Sequence, residues 1–313
     1  MLLFVATNPT IDRLIALPDL TVGQVHRAKN VELSAGGKAI NAARAAKNLG
    51  VSARTVGFLA GCGGQLLEQM LSRDQMETHW LKLTHGETKM SHLILHAEHD
   101  TTVINEPGPT LSADDWQRFT ELIWNRAQDC RAIVLAGTIP PGVAPSAYAE
   151  LCHRLSTLNA QVFIDTPGAT LEAILSNPTG LAIKVNRAEL SEALNIDLRQ
   201  PGKMTATLRA LIGAGARIVG VTLGAEGAVI ANRDGIYKVG SSPIDIHRVS
   251  SVGSGDSFTA GLVTGYARSW SLPESLRLAA ACGIANTETP QPAHFELQRV
   301  EEIMGKIAIE TVY

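Results

Sequence analysis

Short β-rich runs alternate with helix-like runs along most of the chain, and this alternation constrains the fold more than any other feature. LLFVA (2–6) is followed, after an interruption, by GGKAINAARAAKNLG (36–50). RTVGFLA precedes GGQLLEQMLSRD, RAIVLAG precedes APSAYAELCHRLSTLN, and AQVFIDT precedes GATLEAILSN. LAIKVN precedes RAELSEALN, and RIVGVTLG closes the series. Apolar strands separated by amphipathic helices predict a mainly parallel sheet covered on both faces. The connections are then right-handed crossovers. Ligands in such sheets bind beyond the carboxyl ends of the strands, so the turns after these runs are where chemistry is expected.

Two segments break the pattern. Residues 13–35 and 88–106 read as extended chain, the second with a hairpin around Glu98–Asp100. Both are predicted to form a small β-sheet projecting from the α/β core. After VGSGD the chain reads as helical to its end: SFTAGLVTGYARSW, PESLRLAAACGIANTE and ELQRVEEIMGKIAIE. Neither a repeat nor a linker interrupts it, so residues 1–313 read as one domain with a β lid.

Composition narrows the class. At 313 residues, 45% hydrophobic and 18% charged, the chain reads as a soluble globular protein. Aromatic residues make up 4%, so the core is expected to be built from Ala, Val, Ile and Leu. A net charge of −3 with no basic block argues against a nucleic-acid surface. Cys62, Cys130, Cys152 and Cys282 are widely spaced and lack metal-ligand spacing; they read as reduced thiols, which points to the cytoplasm. The apolar N-terminal run is short, lacks a basic start and breaks at Asn8-Pro9, so it reads as a first strand rather than a signal peptide. No stretch approaches the length of a membrane span.

The chemistry concentrates in a few stretches. VSSVGSGDSFTAGL (249–262) is a glycine-rich turn opening a helix, with one acid, Asp256, in its first turn. Asp256 is either a favourable charge at a helix N-terminus or a group working beside a bound anion. SAGGKAINAARAAKNLG puts Gly36-Gly37 before a helix whose Lys38 and Asn41 share a face. AGTIPPG (136–142) is a rigid turn after a buried strand. KVNRAEL presents Lys184, Asn186 and Glu189 at another strand end, and VTLGAEGAVI is a strand, a glycine turn and a strand. Together these supply what phosphoryl transfer needs: positioning, charge neutralisation and a base. Backbone N–H groups of Gly253, Ser254 and Gly255 would form an anion hole, and Asp256 would accept the hydroxyl proton. Asn186 and Glu189 would orient water around Mg²⁺, which keeps much of its hydration shell. No G-x-x-x-x-G-K-[ST] is present, which excludes an ordinary P-loop.

In order and over nearly its whole length, the chain resembles the ribokinase-like carbohydrate kinases, in their phosphofructokinase branch. NPTID resembles the early substrate motif, GGKAINAARA the first family signature and VSSVGSGDSFTAGL the second. GTIPPGV, DTPG, KVNRAEL and VTLGAEGA fill the interval, and INEPGP lies in the lid region. Lys38 and NEPGP point within the branch to the 1-phosphofructokinase and tagatose-6-phosphate kinase type. The resemblance implies a three-layer α/β/α core with a β-sheet lid, ATP and Mg²⁺ as cofactors, and a ketohexose phosphate as substrate. It implies Asp256 as base and Gly253 to Gly255 as anion hole. Asp12, Gly37, Lys38 and Asn41 would hold the sugar, with Lys89, Asn105 and Thr138 beside them. Arg27 would reach a substrate phosphate, across a homodimer interface formed by the lids. Lys184, Asn186 and Glu189 would sit near the ATP phosphates and Mg²⁺. Thr222, Gly224, Gly227 and Asn286 would line the nucleotide pocket.

Taken singly, these residues also have plain readings: Lys38 and Glu189 as exposed helix residues, Asp12 as a turn aspartate, Arg27 as an edge-strand charge, Asn286 as a helix end. The chain also departs from the branch's pattern. Its T-R-x-N is here TKMS, so Lys89 replaces arginine's two-pronged grip on phosphate. Thr138 keeps a hydroxyl where Ala136 loses one, Ala39 stands where glycine is common, and Val185 replaces a proline. All but Val185 lie toward the sugar end, so the reaction type is better specified than the sugar. A same-fold kinase for an unphosphorylated sugar or nucleoside, and a non-catalytic sensor, are the competing readings. A dinucleotide-binding dehydrogenase fits poorly, because the one well-formed glycine loop lies near the C-terminal end.

Overall fold

The computed structural model describes residues 1–96, 100–241 and 244–312. The first part of the chain forms β1 (Leu2–Ala6), β2 (Thr10–Ala16), β3 (Asn30–Gly36), α1 (Lys38–Asn48), β4 (Ala53–Leu59), α2 (Gly61–Arg73) and β5 (Glu77–Lys82). Strands β6 (Lys89–His96) and β7 (Asp100–Asn105) follow. The middle alternates helix and strand: α3 (Ala113–Ala127), β8 (Ala132–Ala136), α4 (Pro145–Ser156), β9 (Gln161–Asp165), α5 (Gly168–Ser176) and β10 (Ala182–Asn186). Then come α6 (Arg187–Leu194), α7 (Lys203–Gly213) and β11 (Ile218–Thr222). The last part holds β12 (Ala228–Asn232), β13 (Gly235–Ser241), α8 (Ser254–Ala267), α9 (Leu272–Asn286), α10 (Leu297–Met304) and β14 (Ile307–Val312).

The main sheet has ten strands in the order β14-β13-β12-β11-β10-β9-β8-β1-β4-β5. From β5 to β11 every neighbouring pair is parallel; β12, β13 and β14 add an antiparallel extension. The expected α/β architecture is therefore present. The end of the chain differs from its helical reading. KIAIE lies largely in β14, because its β-branched residues find a partner in β13, from Ser241↔Ile307 to Ile236↔Val312. Sequence period alone cannot tell so short an apolar run from a helix end.

Strand side chains alternate between two cores. Leu2, Phe4 and Ala6 of β1 face the layer holding α1, α8, α9 and α10; Leu3 and Val5 face the layer holding α3 to α7. The first layer is rich in Ala and Gly, so its helices approach closely. A Cβ at Gly261 of α8 would lie 2.6 Å from Ala279 Cα of α9. This close packing, with Ala, Val, Ile and Leu elsewhere, is how a chain with few aromatics fills its core.

The second sheet has four strands in the order β3-β2-β6-β7. Strands β2 and β6 run parallel at its centre, flanked antiparallel by β3 and β7. The arms of the expected 88–106 hairpin are thus β6 and β7; of its tip, residues 97–99 lie outside the described residues. Within 13–35 only the ends are strand, and the stretch between β2 and β3 carries Arg27 as an exposed loop residue, not on an edge strand. In register, Asp12 stands beside Ser91, and Ser91 beside Asn105, so the three share one face of this sheet.

Candidate active site

The glycine turn before α8 is built as its composition implies. Gly253 takes a left-handed φ of 80° as the N-cap, and a Cβ there would stand 2.5 Å from Pro292 Cβ. Both facts demand glycine. Ser254, Gly255 and Asp256 then form the first turn of α8, where N–H groups lack helical partners.

Asn286 does not line the nucleotide cleft as expected. It is fully buried behind this turn. Its Oδ1 accepts from Ser257 Oγ (3.1 Å) and Ala293 N (2.7 Å), and its Nδ2 donates to Val252 O (2.8 Å) and Ser254 Oγ (3.3 Å). Its neighbours Gly283, Ile284 and Thr287 line the cleft instead. An amide with every hydrogen-bonding position used holds the loop and has nothing left for a ligand.

Asp256 is 8% exposed and accepts a 2.8 Å hydrogen bond from Asn41 Nδ2. Burial, then the charge of Asp165, push its carboxyl up to about 6, while Asn41, Lys38 and Lys184 pull the other way. Asp12 is a second buried carboxylate beside it. Burial, then the Asp256 charge, raise it to about 7, opposed by Arg44 and Lys89. Gly36 makes room for Asp12: a Cβ at that glycine would overlap the Asp12 carboxylate. Gly37, with φ of 98°, caps α1.

The cations converge on a residue that sequence reasoning missed. Asp165, at the carboxyl end of β9 and 1% exposed, accepts from Lys38 Nζ (2.7 Å), Lys184 Nζ (2.7 Å) and Thr259 Oγ1 (3.1 Å). Burial alone would raise its carboxyl, but Lys184 and Lys38 outweigh burial and hold it well below the ordinary range. Lys38 also reaches Glu189 Oε1 at 3.3 Å. Burial would lower the Lys38 ammonium, yet Asp165 and Glu189 hold it above its usual value. Lys38 is therefore engaged in an ion network on the cleft side, whereas the resemblance put it on the sugar. Lys184 Nζ would lie 3.0 Å from a Cβ at Gly255, which places its charge against the glycine turn. The acid in DTPG, at a strand end, was the available signal for Asp165.

A cavity of about 830 Å³ opens from this network. Lys38, Lys184, Asn186, Glu189, Thr222, Gly224, Gly227, Ser254, Gly255 and Asp256 all border it, so most of the expected nucleotide-side residues come together. Asn186 and Glu189 are also a reciprocal cap of α6: Asn186 Oδ1 accepts from Glu189 N (2.8 Å), and Glu189 Oε2 accepts from Asn186 N (2.9 Å). Among the described residues no group of three or more His, Cys, Asp or Glu side chains is placed to hold a metal ion. One amide and one carboxylate oxygen, already anchored by the cap, suit Mg²⁺ carried by phosphates and reached through water rather than an all-protein cage.

Of the residues expected on the sugar side, Lys89 and Asn105 lie on the four-stranded sheet. Lys89 is half-buried; burial lowers its ammonium, offset by Asp12 and Glu106. Asn105 Oδ1 accepts from Ser91 Oγ (2.7 Å), and Thr138 Oγ1 from Asn8 Nδ2 (3.2 Å). Asn8 also donates to Pro107 O (3.1 Å), tying the end of β1 to the return from β7. Arg27 remains exposed on its loop.

Residues 5–298 match the pfkB family carbohydrate kinase pattern. The chain belongs to this family of carbohydrate kinases. Within the pfkB family it is 29% identical over 311 residues to a tagatose-6-phosphate kinase of Staphylococcus epidermidis, covering 99% of both chains. It is 31% identical over 313 residues to a 1-phosphofructokinase of Xanthomonas campestris pv. campestris, covering 98% of each. The fold matches that of phosphofructokinase-2 from Escherichia coli solved with potassium, with a TM-score of 0.88, 24% identity and 97% of each chain covered. As in the expected ribokinase-like architecture, this pfkB chain has a large mainly parallel sheet and a small sheet. No helix among the described residues is long and apolar enough to cross a membrane.

Proposed function

We propose that this chain transfers the terminal phosphoryl group of ATP to a hydroxyl of a sugar phosphate, a ketohexose phosphate being the favoured class, giving a bisphosphate and ADP. The observation that carries this is the position of Asp256. A buried carboxyl raised to about 6 sits in the first turn of α8, between a cation-lined cleft and the Asp12 face of the second sheet. The names of the full-length relatives support the substrate class.

In this reading the nucleotide lies in the cleft with its phosphates toward Lys184, Lys38 and the turn at Gly253 to Gly255. Asp12, Gly37 and Asn41 orient the acceptor sugar, with Lys89, Asn105 and Thr138 around it. Asp256 removes the proton as the hydroxyl oxygen attacks phosphorus and the bond to ADP breaks. Turn N–H groups and Lys184 meet the charge on the moving phosphoryl group. Mg²⁺ would neutralise phosphate charge, held through water by Asn186 and Glu189. Asp165 keeps both lysines protonated and in place.

Residues 1–313 act as one cytoplasmic kinase domain with the four-stranded sheet as its lid. Arg27 meets the substrate phosphate only when a second copy packs lid to lid. Exposed Val31 and Leu33 on β3, and Val103 and Ile104 on β7, support such a homodimer. One observation favours an unphosphorylated acceptor instead: Lys89 is offset by Asp12 and Glu106, and Lys38 is committed to Asp165.

The test is ADP release with Mg²⁺-ATP against fructose 1-phosphate, fructose 6-phosphate, tagatose 6-phosphate, and free fructose, tagatose and ribose. Turnover with a sugar phosphate is expected; turnover only with a neutral sugar would sink the substrate class. Asp256→Asn should abolish turnover while ATP binding survives, and a sensor would be indifferent to it.

A further inference from the structure

Arg44 is a buried cation for which the phosphoryl-transfer scheme has no use. It lies on α1, one turn beyond Asn41, and is 4% exposed. Its Nε and Nη2 donate to Asp74 Oδ2 (3.3 and 3.0 Å), Nη2 also to Ala35 O (2.8 Å), and Nη1 to Asn41 Oδ1 (3.4 Å). Ala35 immediately precedes Gly36-Gly37, and Asp74 is the C-cap of α2, open to solvent on its far side. One guanidinium thus joins β3, α1 and α2 behind the proposed acceptor site.

The consequence runs through the Asn41 amide. A guanidinium only donates, so Asn41 must turn its oxygen toward Arg44. An ionised carboxylate only accepts, so the NH₂ must face Asp256, as it does at 2.8 Å. Flipping the amide would set NH₂ against a cation and oxygen against an anion. Arg44 therefore leaves Asn41 one orientation. A buried ionic group is well suited to such a specifying role.

We propose that Arg44 is a positioning residue for phosphoryl transfer: it locks the Asn41 amide, which seats the Asp256 carboxylate, and Asp74 is its outer anchor. The proposal rests on Asp256 being the base. Asp256 is faced by Asn41 and Lys38 of α1, Lys184 of β10, Asp165 of β9 and Asp12 of β2; Arg44 is faced by Asp74, Asp12 and His294. Loosening Arg44 weakens the Asn41 hydrogen bond, which favours the ionised base, so the acid limb of kcat should move to higher pH.

The experiment measures kcat, both KM values, the pH dependence of kcat and thermal melts for Arg44→Met, Arg44→Lys and Asp74→Asn. Arg44→Met is expected to lower kcat by about tenfold to a hundredfold, the scale of a misplaced reacting group, with KM for ATP little changed. Arg44→Lys should recover part of the loss, and Asp74→Asn should shift the profile the same way by less. Arg44→Met should add little in an Asn41→Ala background, because both act on one element. A folded Arg44→Met with wild-type kcat and an unmoved acid limb overturns the proposal, as does additivity with Asn41→Ala. If Arg44→Met does not fold, unmoved acid limbs in Arg44→Lys and Asp74→Asn overturn it equally. Asp256→Asn is assayed alongside; turnover surviving there means the base is misassigned, whatever Arg44 does.

Discussion

Asp12 is held high by burial and the Asp256 charge, Asp256 by burial and the Asp165 charge, and Asp165 is held low by two lysines. The contrast separates function from stability. A base must be ionised to accept a proton, so kcat should fall as pH drops through about 6, the value to which Asp256 is raised. Because Asp12 is coupled to it, the limb belongs to the pair, and it should steepen or broaden when Asp12 is replaced. A pH–rate profile that stays flat down to pH about 5 would count against Asp256 as the base. For stability the sign is the reverse of the usual acidic residue. Asp12 is raised from 3.8 to about 7, so the folded state holds a proton that the unfolded chain has already lost. The folded state is therefore progressively penalised as pH rises from the unfolded value through the folded one. Asp12→Asn removes that penalty: Tm should rise at pH about 8, change little at pH about 4, and activity should fall. An unchanged Tm at the higher pH would show that Asp12 is not under this strain. Asp165 does the opposite, contributing stability that is present above the unfolded carboxylate value and lost as pH falls through its depressed folded value.

At the scale of elements, the site depends on how α8 is begun. The left-handed Gly253 turn is held from behind by Asn286 at the end of α9, and Thr287 O accepts from Val249 N (2.7 Å) and Ser250 N (3.1 Å). The glycine turn that opens α8 is thus fastened to the end of a neighbouring helix. Asn286→Ala strips partners from several buried groups, each loss being worth about 1–3 kcal/mol. It should lower Tm markedly and reduce kcat by more than it raises KM for ATP, since the cleft lining stays in place. A loss of stability with kcat per folded molecule unchanged would mean that the clamp serves packing alone. The cap at Asn186 and Glu189 behaves differently. Glu189→Gln can keep both reciprocal bonds but turns an NH₂ toward Lys38 in place of a partly exposed ion pair, so stability should fall by about 1 kcal/mol at most. If it unfolds α6, the ion pair matters more to the fold than the cap does.

At the scale of the molecule, the four-stranded sheet leaves apolar side chains on both edge strands and places Arg27 on an exposed loop. Light scattering should give a dimer mass that falls to one chain when Leu33→Lys and Ile104→Lys are combined. A wild-type mass of one chain at assay concentration would remove the lid-to-lid arrangement and Arg27 with it. Which parts of all this were legible beforehand follows from the range of each signal. Alternating apolar runs, glycine at a left-handed cap and acid in a first helical turn are local. They were enough for the parallel sheet, the glycine turn at Gly253 and the place of Asp256 in the first turn of α8, because backbone sterics and side-chain period act within a few residues. β14 was read as helix because its strand character comes from a partner about seventy positions away in β13, from Tyr237 to Thr311 for example. The resemblance put Asn286 in the pocket, and only packing showed its amide fully used. Asp165 went unnoticed because its two lysines come from α1 and β10, and ion pairs between distant segments leave no local pattern. The sequence by itself determined the layer architecture and the glycine turn that opens α8 at Asp256. Tertiary structure decided which polar groups face the cleft and which hold it in shape, since that depends on burial, and burial belongs to the assembled chain.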